Sequence, residues 1–158
     1  MILVKFNPEI KGTSKVAGYE GWVVFDSYAL NASRNISGSG VERSLLAGYV
    51  SDILLMKTAD KSSPQFFIQS LTGTAFKEAT VVVLHASGAT QKLQQLLSIE
   101  LTAPVVSTFS TQCQTDGRPT EHISLNFTRI RYQYNEFDGA AGNGTVDKVF
   151  DVAAVAAA

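Results

Sequence analysis

A two-residue alternation of apolar and polar side chains runs through most of this sequence, and it constrains the fold more than any other feature. Residues branched at Cβ carry much of the alternation, since the chain holds 15 Val and 13 Thr. Such residues suit the pleated, half-buried surface of a sheet. In the segment Trp22–Asn31 both alternating sets are largely apolar, which is typical of a strand covered on both sides. The sequence therefore predicts a mainly β protein.

The predicted strands are separated by polar turns and interrupted by a single helix. In chain order they are Ile2–Phe6, Trp22–Asn31, Tyr49–Thr58, Lys77–His85, Gln91–Leu101, Val105–Gln112, Glu121–Phe137 and Val146–Val152. Within Glu121–Phe137 the alternation changes phase, which predicts a bulge or strong coiling near Thr128–Arg129. Strands in this number with one helix predict a barrel-like pair of antiparallel β-sheets with one short flanking α-helix, in a single domain over residues 1–158.

One helix and two long loops are predicted between the strands. Ser63 is the expected N-cap of the helix, Pro64 its first residue and Gly73 the residue that ends it. A helix of this length is marginal alone, so it must pack apolar side chains against the sheet, namely Phe66, Phe67 and Leu71. The predicted loops are rich in Gly, Asn or Ser and span Ala32–Arg43 and Gly139–Gly144.

The charge content excludes several classes of function. The formal net charge is −1, which does not suit a nucleic-acid-binding protein with a basic surface. Charged residues make up 17% of the chain, below the roughly 25% of an ordinary soluble domain, so we expect another protein to cover part of the surface. The first residues lack the basic-then-apolar pattern of a secretory signal peptide. No apolar stretch approaches the ~20 residues of a membrane helix, so no membrane insertion is expected.

No arrangement of residues in the sequence predicts a catalytic centre, a cofactor or a metal site. His85 and His122 lack neighbours at metal-binding spacing, and the glycine motifs of hydrolases and nucleotide-binding loops are absent. Asp26 interrupts an apolar strand, where a carboxylate can act as a catalytic acid but more often faces solvent or an interface. The single cysteine, Cys113, is expected to be a small buried hydrophobe. An enzyme is therefore not predicted.

Four short segments carry more specific patterns. They are Gly21–Tyr28 (GWVVFDSY), Lys61–Pro64 (KSSP), Glu121–Phe127 (EHISLNF) and Phe150–Ala153 (FDVA). In their order and spacing these segments resemble the Hcp family, which forms the tube of the bacterial type VI secretion system. The KSSP segment, at the entry to the predicted helix, is the most specific of the four. The resemblance spans nearly the whole chain.

This resemblance implies a structural role. It implies hexameric rings that stack head to tail into a tube inside a contractile sheath. The tube is expelled and secreted without a signal peptide after synthesis in the cytoplasm, and some family members hold effector proteins in the ring lumen. The implied partners are other copies of the chain, the sheath and spike proteins, and effectors, with no nucleic acid. Two alternatives stay open: a ring-forming effector chaperone or binding module, and a β-barrel ligand-binding protein.

The resemblance also assigns roles to particular residues. The matching strand lies on the inner wall of the ring, so Tyr28 is predicted to face the lumen and to shape the channel or grip cargo. Asp26 is predicted to share that face, because alternation places it there and a carboxylate is rarely buried without a partner. The loop that follows is expected to reach a neighbouring subunit, and its polar candidates for that contact are Ser33, Asn35, Ser37 and Ser39.

Overall fold

The computed structural model describes residues 1–38, 44–87, 92–138 and 141–157, which form thirteen strands and one helix. The elements of the first half are β1 (Ile2–Asn7), β2 (Val23–Phe25), β3 (Ser27–Ala29), β4 (Ala32–Ser37), β5 (Ser44–Val50), β6 (Ile53–Thr58) and α1 (Ser63–Thr72). The second half contains β7 (Glu78–Ser87), β8 (Lys92–Thr102), β9 (Val105–Gln112), β10 (Thr120–Asn126), β11 (Arg129–Asp138), β12 (Ala141–Asp151) and β13 (Ala156–Ala157). The predicted mainly β class with one short helix is confirmed.

The strands pair in an antiparallel sense and form two large sheets and a separate hairpin. The seven-stranded sheet has the order β13-β12-β11-β8-β7-β1-β2, and the four-stranded sheet has the order β3-β6-β10-β9. In the described part of the chain, β4 and β5 pair with each other and with no third strand. Both large sheets contribute buried side chains to one core, among them Val4, Phe6, Val23, Ile53, Leu55, Ile99, Leu101, Ile123 and Leu125.

The predicted strand Trp22–Asn31 is divided at Asp26, where the chain passes from the seven-stranded to the four-stranded sheet. The backbone N–H of Asp26 donates to the Met56 carbonyl at 2.8 Å, and its carboxylate accepts from the Thr58 N–H at 3.0 Å. These bonds bring the chain onto β6. The prediction of one unbroken alternation is therefore wrong. Before the crossing the odd-numbered Val23 and Phe25 point into the core, whereas after it the even-numbered Tyr28 packs against the same core.

Two other predicted strands are also divided. The segment Glu121–Phe137 becomes β10 in the four-stranded sheet and β11 in the seven-stranded sheet. The phase change near Thr128–Arg129 thus marks a change of sheet rather than a bulge in one strand. The segment Tyr49–Thr58 ends β5 and begins β6, because Ser51 leaves the ladder and its backbone N–H donates to the Asn31 carbonyl at 2.8 Å.

The prediction of a loop over Ala32–Arg43 is wrong for its first half. Residues Ala32–Ser37 form β4, and all six are exposed. A strand with no buried face has no reason to alternate between apolar and polar residues, which explains why its sequence lacks periodicity. Residues 39–43 lie outside the described part of the chain. In the second predicted loop, Gly139–Gly144, residues 141–144 belong to β12, and residues 139–140 are likewise not described.

The helix begins one residue earlier than the sequence predicts. Its N-cap is Ser62 rather than Ser63, because the Ser63 hydroxyl donates across the fold to the Glu121 carboxylate at 2.8 Å. Gly73 ends the helix as predicted, with a φ of 63° and its N–H bonded to the Gln69 carbonyl at 3.0 Å. The left-handed conformation at this position favours glycine.

Of the three apolar helix residues expected to pack inward, Phe66 alone is buried. Its ring meets Phe6 and Phe25 with centroids 5.3 and 6.2 Å apart. Phe67 is 49% exposed, although one side of its ring meets Phe109 of β9, with centroids 6.0 Å apart. Leu71 is 69% exposed, so the expectation that it docks on the sheet is wrong. The helix thus buries a single large side chain and presents apolar surface to the outside.

Candidate assembly surfaces

Among the described residues, the strand positions on the outward face of the four-stranded sheet carry no Asp, Glu, Lys or Arg. The carboxylates of Asp26 and Asp52 lie at the margins of this face, where they accept hydrogen bonds from Thr58 and from Ser107 and Asn126 respectively. The inward face of the sheet is set by the buried Leu55 and Ile123, which lie opposite each other on β6 and β10. Alternation then assigns to the outward face the residues Ser27, Ala29, Leu54, Met56, Thr58, Thr108, Ser110, Gln112, Thr120, His122 and Ser124. We call this surface the neutral face. It is a broad surface of hydroxyl, amide and apolar groups.

Charges gather instead on the outer face of the seven-stranded sheet. There the Arg131 guanidinium donates to Asp147 at 2.9 Å and to Glu100 at 3.5 Å, linking three neighbouring strands. These side chains are about 40% exposed, so solvent and salt screen both ion pairs. The two large sheets therefore offer chemically different outer surfaces.

The four-stranded sheet ends in two unlike free edges. One edge is the three-residue β3, and the other is the eight-residue β9, which carries mostly exposed Ser, Thr and Gln side chains. An edge strand presents unpaired backbone N–H and C=O groups that can accept a further strand. Because the two edges differ, pairing one with the other between copies would generate a ring or a filament rather than a closed dimer.

The β4–β5 hairpin holds three of the four residues predicted for subunit contacts. Ser33, Asn35 and Ser37 lie on β4 and are exposed, and Ser39 lies outside the described residues. The pairing slips between Arg34 and Ile36, so Asn35 sits in a bulge of the hairpin. The hairpin also exposes large apolar side chains, namely Ile36, Leu46 and Tyr49.

The two residues predicted for the lumen do not share a face. Asp26 is exposed at the crossing between the sheets, where it accepts hydrogen bonds from the N–H and hydroxyl of Thr58. Tyr28 is half-buried on the core side of β3, beside Tyr132 of β11. Burial raises the pKa of the Tyr28 hydroxyl, and the neighbouring Tyr132 raises it further. The shared face on which the two assignments depended is therefore absent, and the lumen role of Tyr28 stays a prediction.

A cleft lies between the base of the hairpin and the seven-stranded sheet. It has a volume of about 320 Å³, and its walls are formed by Leu30, Val50, Ile130 and Phe150, with the more exposed Tyr49 and Tyr132. None of the described residues that line it is charged. We call it the apolar cleft. Its lining comes from four separate segments of the chain.

A second apolar surface lies on the outer side of α1. Phe67, Ile68 and Leu71 lie within about one turn of each other and are 49%, 49% and 69% exposed. We call these three residues the apolar strip. Exposed apolar side chains that cluster in this way are typical of a surface covered in an assembly.

A buried ionic cluster joins the start of α1 to the four-stranded sheet. The ammonium of Lys57, which is fully buried, lies 2.9 Å from Glu121 and 2.8 Å from Asp60. Lys57 also donates to the Ser63 hydroxyl at 3.2 Å, and the backbone N–H of Ser62 donates to Asp60 at 2.8 Å. Burial alone would raise the pKa of the Asp60 carboxyl, but hydrogen bonds from Lys57 and Ser62 lower it overall.

This cluster brings together two of the four segments that carry the resemblance, KSSP and EHISLNF. Sequence analysis overlooked Lys57, although alternation in β6 places it on the same face as Ile53 and Leu55. A lysine on an otherwise buried face predicts a buried acidic partner. The cluster ties the start of α1 to β6 and β10.

The isolated titratable residues form no site. His85 is exposed on β7 and His122 lies on the neutral face of the other sheet. No three side chains of His, Cys, Asp or Glu lie where they could share a metal ion in the described ranges. Cys113 is exposed rather than buried, because it follows the end of β9 and its thiol lies 3.3 Å from the Gln114 and Gly117 carbonyls. No described helix is long and apolar enough to cross a membrane.

Comparison with known proteins decides the family. Residues 4–134 match the family model described as "Type VI secretion system effector, Hcp". The chain belongs to the Hcp family. This Hcp chain is 32% identical over 100 residues to Protein hcp1 of Pseudomonas aeruginosa, in a match that covers 61% of the chain and 60% of that relative.

Two solved structures show the same fold. A type six secretion system protein that is 16% identical superposes with a TM-score of 0.90, over 99% of the Hcp chain and 98% of the other. Hcp1 from Salmonella typhimurium, 21% identical, gives a TM-score of 0.78 over 99% and 97%. The Hcp family comprises secreted tube proteins of type VI secretion and is not a known enzyme family. The resemblance to the Hcp family is confirmed, and three of the four sequence segments lie within the matched residues 4–134.

Proposed function

We propose that this Hcp chain is the repeating subunit of a type VI secretion tube, acting as one unit over residues 1–158. Hexameric rings stack head to tail, and the neutral face of the four-stranded sheet lines the lumen. The observation that carries the proposal is the combination, on one sheet, of two unlike edges with an outward face whose described charges lie only at its margins. The four-stranded sheet thus supplies both the surface that would line the lumen and the two edges that would join neighbouring copies into a ring.

The neutral face suits the inner wall of a conduit. Charge-assisted hydrogen bonds are roughly twice as strong as neutral ones, so a wall bearing Asp, Glu, Lys or Arg would hold passing cargo of opposite charge. Hydroxyl groups such as those of Ser110 and Ser124 instead offer weak bonds that water readily replaces. Effector proteins of either charge could then be carried in the lumen and released.

Ring closure is supported by the difference between the two edges. When β9 of one copy pairs with β3 of the next, the four-stranded sheet continues from copy to copy. Backbone hydrogen bonds supply affinity in such strand addition, and side-chain pockets supply specificity. Repeating such a heterologous contact gives a closed ring when a whole number of identical rotations, one per copy, completes a full turn.

The hairpin is the proposed contact between neighbouring subunits. Its exposed polar residues Ser33, Asn35 and Ser37, predicted from the sequence, lie on a strand that no other described element covers. Together with Ser39 they would form a polar contact that can break when rings separate. The contractile sheath and the spike are the proposed partners of the finished tube. The chain would be made in the cytoplasm and leave it through the secretion system.

Assembly is tested first on the purified protein. Size-exclusion chromatography with light scattering should give the mass of a hexamer at micromolar concentration, and negative-stain images should show rings. A monomeric mass at every concentration would contradict the proposal.

The direction of the neutral face is tested by thiol labelling. In a Cys113→Ser background, Ser124→Cys places a thiol at the middle of that face, and Ala17→Cys places a control thiol on the loop over the outer side of the seven-stranded sheet. A maleimide carried on a bulky polymer should modify both in dissociated subunits, but only Ala17→Cys in assembled tubes. Equal labelling of Ser124→Cys in both states would show that this face is not the lumen.

A further inference from the structure

The apolar strip and the apolar cleft lie at opposite sides of the four-stranded sheet. The helix packs beside β9, where the rings of Phe67 and Phe109 meet with centroids 6.0 Å apart. The cleft lies beside β3, because Leu30 of its wall directly follows that strand. These two strands are the free edges of the sheet. The strip of one copy therefore cannot reach the cleft of the same copy.

The two surfaces are chemically matched. Neither the described lining of the cleft nor the strip contains a charged side chain. The strip offers two branched aliphatic side chains and one aromatic ring, and the cleft offers aliphatic and aromatic walls around a volume of about 320 Å³. Burying such groups against each other is favourable at about 25 cal/mol per Å² of apolar surface. The Arg34 guanidinium lies beside Gly48 at the rim of the cleft, outside the described lining that would meet the strip.

We propose that the apolar strip of one copy docks in the apolar cleft of the next copy. The inference rests on the proposed ring, because a contact from β9 to the following β3 brings the helix beside β9 toward the cleft beside β3. In this arrangement the packed side chains of strip and cleft would lie next to the backbone pairing of β9 with the following β3. Each copy then inserts its strip into the cleft of one neighbour and accepts the strip of the other neighbour in its own cleft. The contact is therefore heterologous and continues around the ring.

Substitutions at exposed positions test the contact without disturbing the core. Leu71→Glu places a charge on the strip, and Ala32→Glu places one at the cleft; both positions are exposed. Gln65→Glu is the matched control, since Gln65 is exposed on another side of the same helix. We expect each test variant to raise the concentration for half-maximal ring formation at least about tenfold, equivalent to ~1.4 kcal/mol, and the control to leave it unchanged.

Mixing the two variants gives a sharper result. Leu71→Glu keeps an intact cleft and Ala32→Glu keeps an intact strip, so one copy of each can form a single good contact. At a concentration where neither variant assembles alone, an equimolar mixture should therefore yield a heterodimer by light scattering. Ile68→Glu repeats the strip test if Leu71→Glu does not fold, as judged by its circular dichroism spectrum.

The outcomes separate this inference from the function on which it rests. Wild-type protein that forms no rings would overturn both. Wild-type rings, with strip and cleft variants that assemble at the control concentration, would overturn the docking alone. A mixture of variants that stays monomeric while each variant fails to form rings would also refute the pairing of strip with cleft.

Discussion

Replacing Lys57 with Met should destabilise the fold strongly, because it removes the positive charge from a buried cluster. Lys57 is fully buried and Glu121 is only 3% exposed, with 2.9 Å between the ammonium and the carboxylate. Without Lys57, Glu121 keeps one described side-chain donor, the Ser63 hydroxyl at 2.8 Å. Removing one member of a buried ion pair typically costs about 3–5 kcal/mol. That is a large part of the roughly 5–15 kcal/mol that stabilises a domain.

The double variant Lys57→Met with Glu121→Leu separates charge burial from packing. When both charges are removed, the site becomes apolar, and replacing a buried pair in this way is often neutral. We therefore expect the double variant to regain most of the stability lost in Lys57→Met. Lys61→Met, an exposed lysine of the same region, is the matched control and should change the free energy of unfolding little.

The assay is urea unfolding at a concentration where the chain is dissociated, followed by the fluorescence of Trp22, the single tryptophan. The slope of the free energy against urea should not change, so the midpoint alone reports stability. The reasoning is refuted if Lys57→Met costs less than about 1 kcal/mol, the scale of an exposed pair. It is equally refuted if the double variant is no more stable than the single one.

Three further predictions use the same unfolding and assembly measurements. Phe66→Ala should cost about 3–5 kcal/mol because the ring is fully buried, whereas the half-exposed Phe67→Ala should cost far less; similar losses would contradict the packing described. The pKa of Asp60 is lowered in the folded protein, so its contribution is complete above the ordinary Asp pKa of about 3.9 and is lost as pH falls through the folded pKa. The urea midpoints of wild type and Asp60→Asn should therefore differ near neutral pH and converge in acid, and a gap that persists in acid would contradict this sign. Tyr28 lies on the core side of β3, so Tyr28→Gln should lower the urea midpoint; an unchanged midpoint with intact rings and impaired effector export would instead support the lumen role predicted from the sequence.

The alternation of apolar and polar residues predicted the positions of the strands along the chain well. It did not predict which of the two sheets each strand joins. The bounds of β9 follow directly from the run Val105–Gln112, since one strand stays in one sheet throughout. At Asp26 the chain bends and changes sheet, but the alternation of residue types runs through the bend, so the sequence pattern continues although the inward direction changes. That change depends on hydrogen bonds to β6, which lies far along the chain. No local pattern could have revealed it.

The candidate surfaces were less accessible to sequence analysis than the fold. The neutral face becomes visible only when three registers are combined, because its residues come from four strands. The apolar cleft is similar, since Leu30, Val50, Ile130 and Phe150 meet through tertiary packing. Lys57 is the exception: its position on the buried face of β6 was readable from alternation alone. The exposed β4 strand had no such pattern, because neither of its faces is buried.

The three places where a short stretch of backbone crosses between the large sheets also bear on how the molecule carries a mechanical load. At Asp26, between Thr102 and Val105, and between Asn126 and Arg129, a continuous peptide chain joins the sheets. Sliding one sheet over the other would therefore stretch covalent backbone and break ladder hydrogen bonds on both sides together, whereas sheets joined by side-chain packing alone can shear by repacking. A push applied to one sheet is thus transmitted to the other as tension along these three crossings, and the sandwich resists shear as a single stiff body.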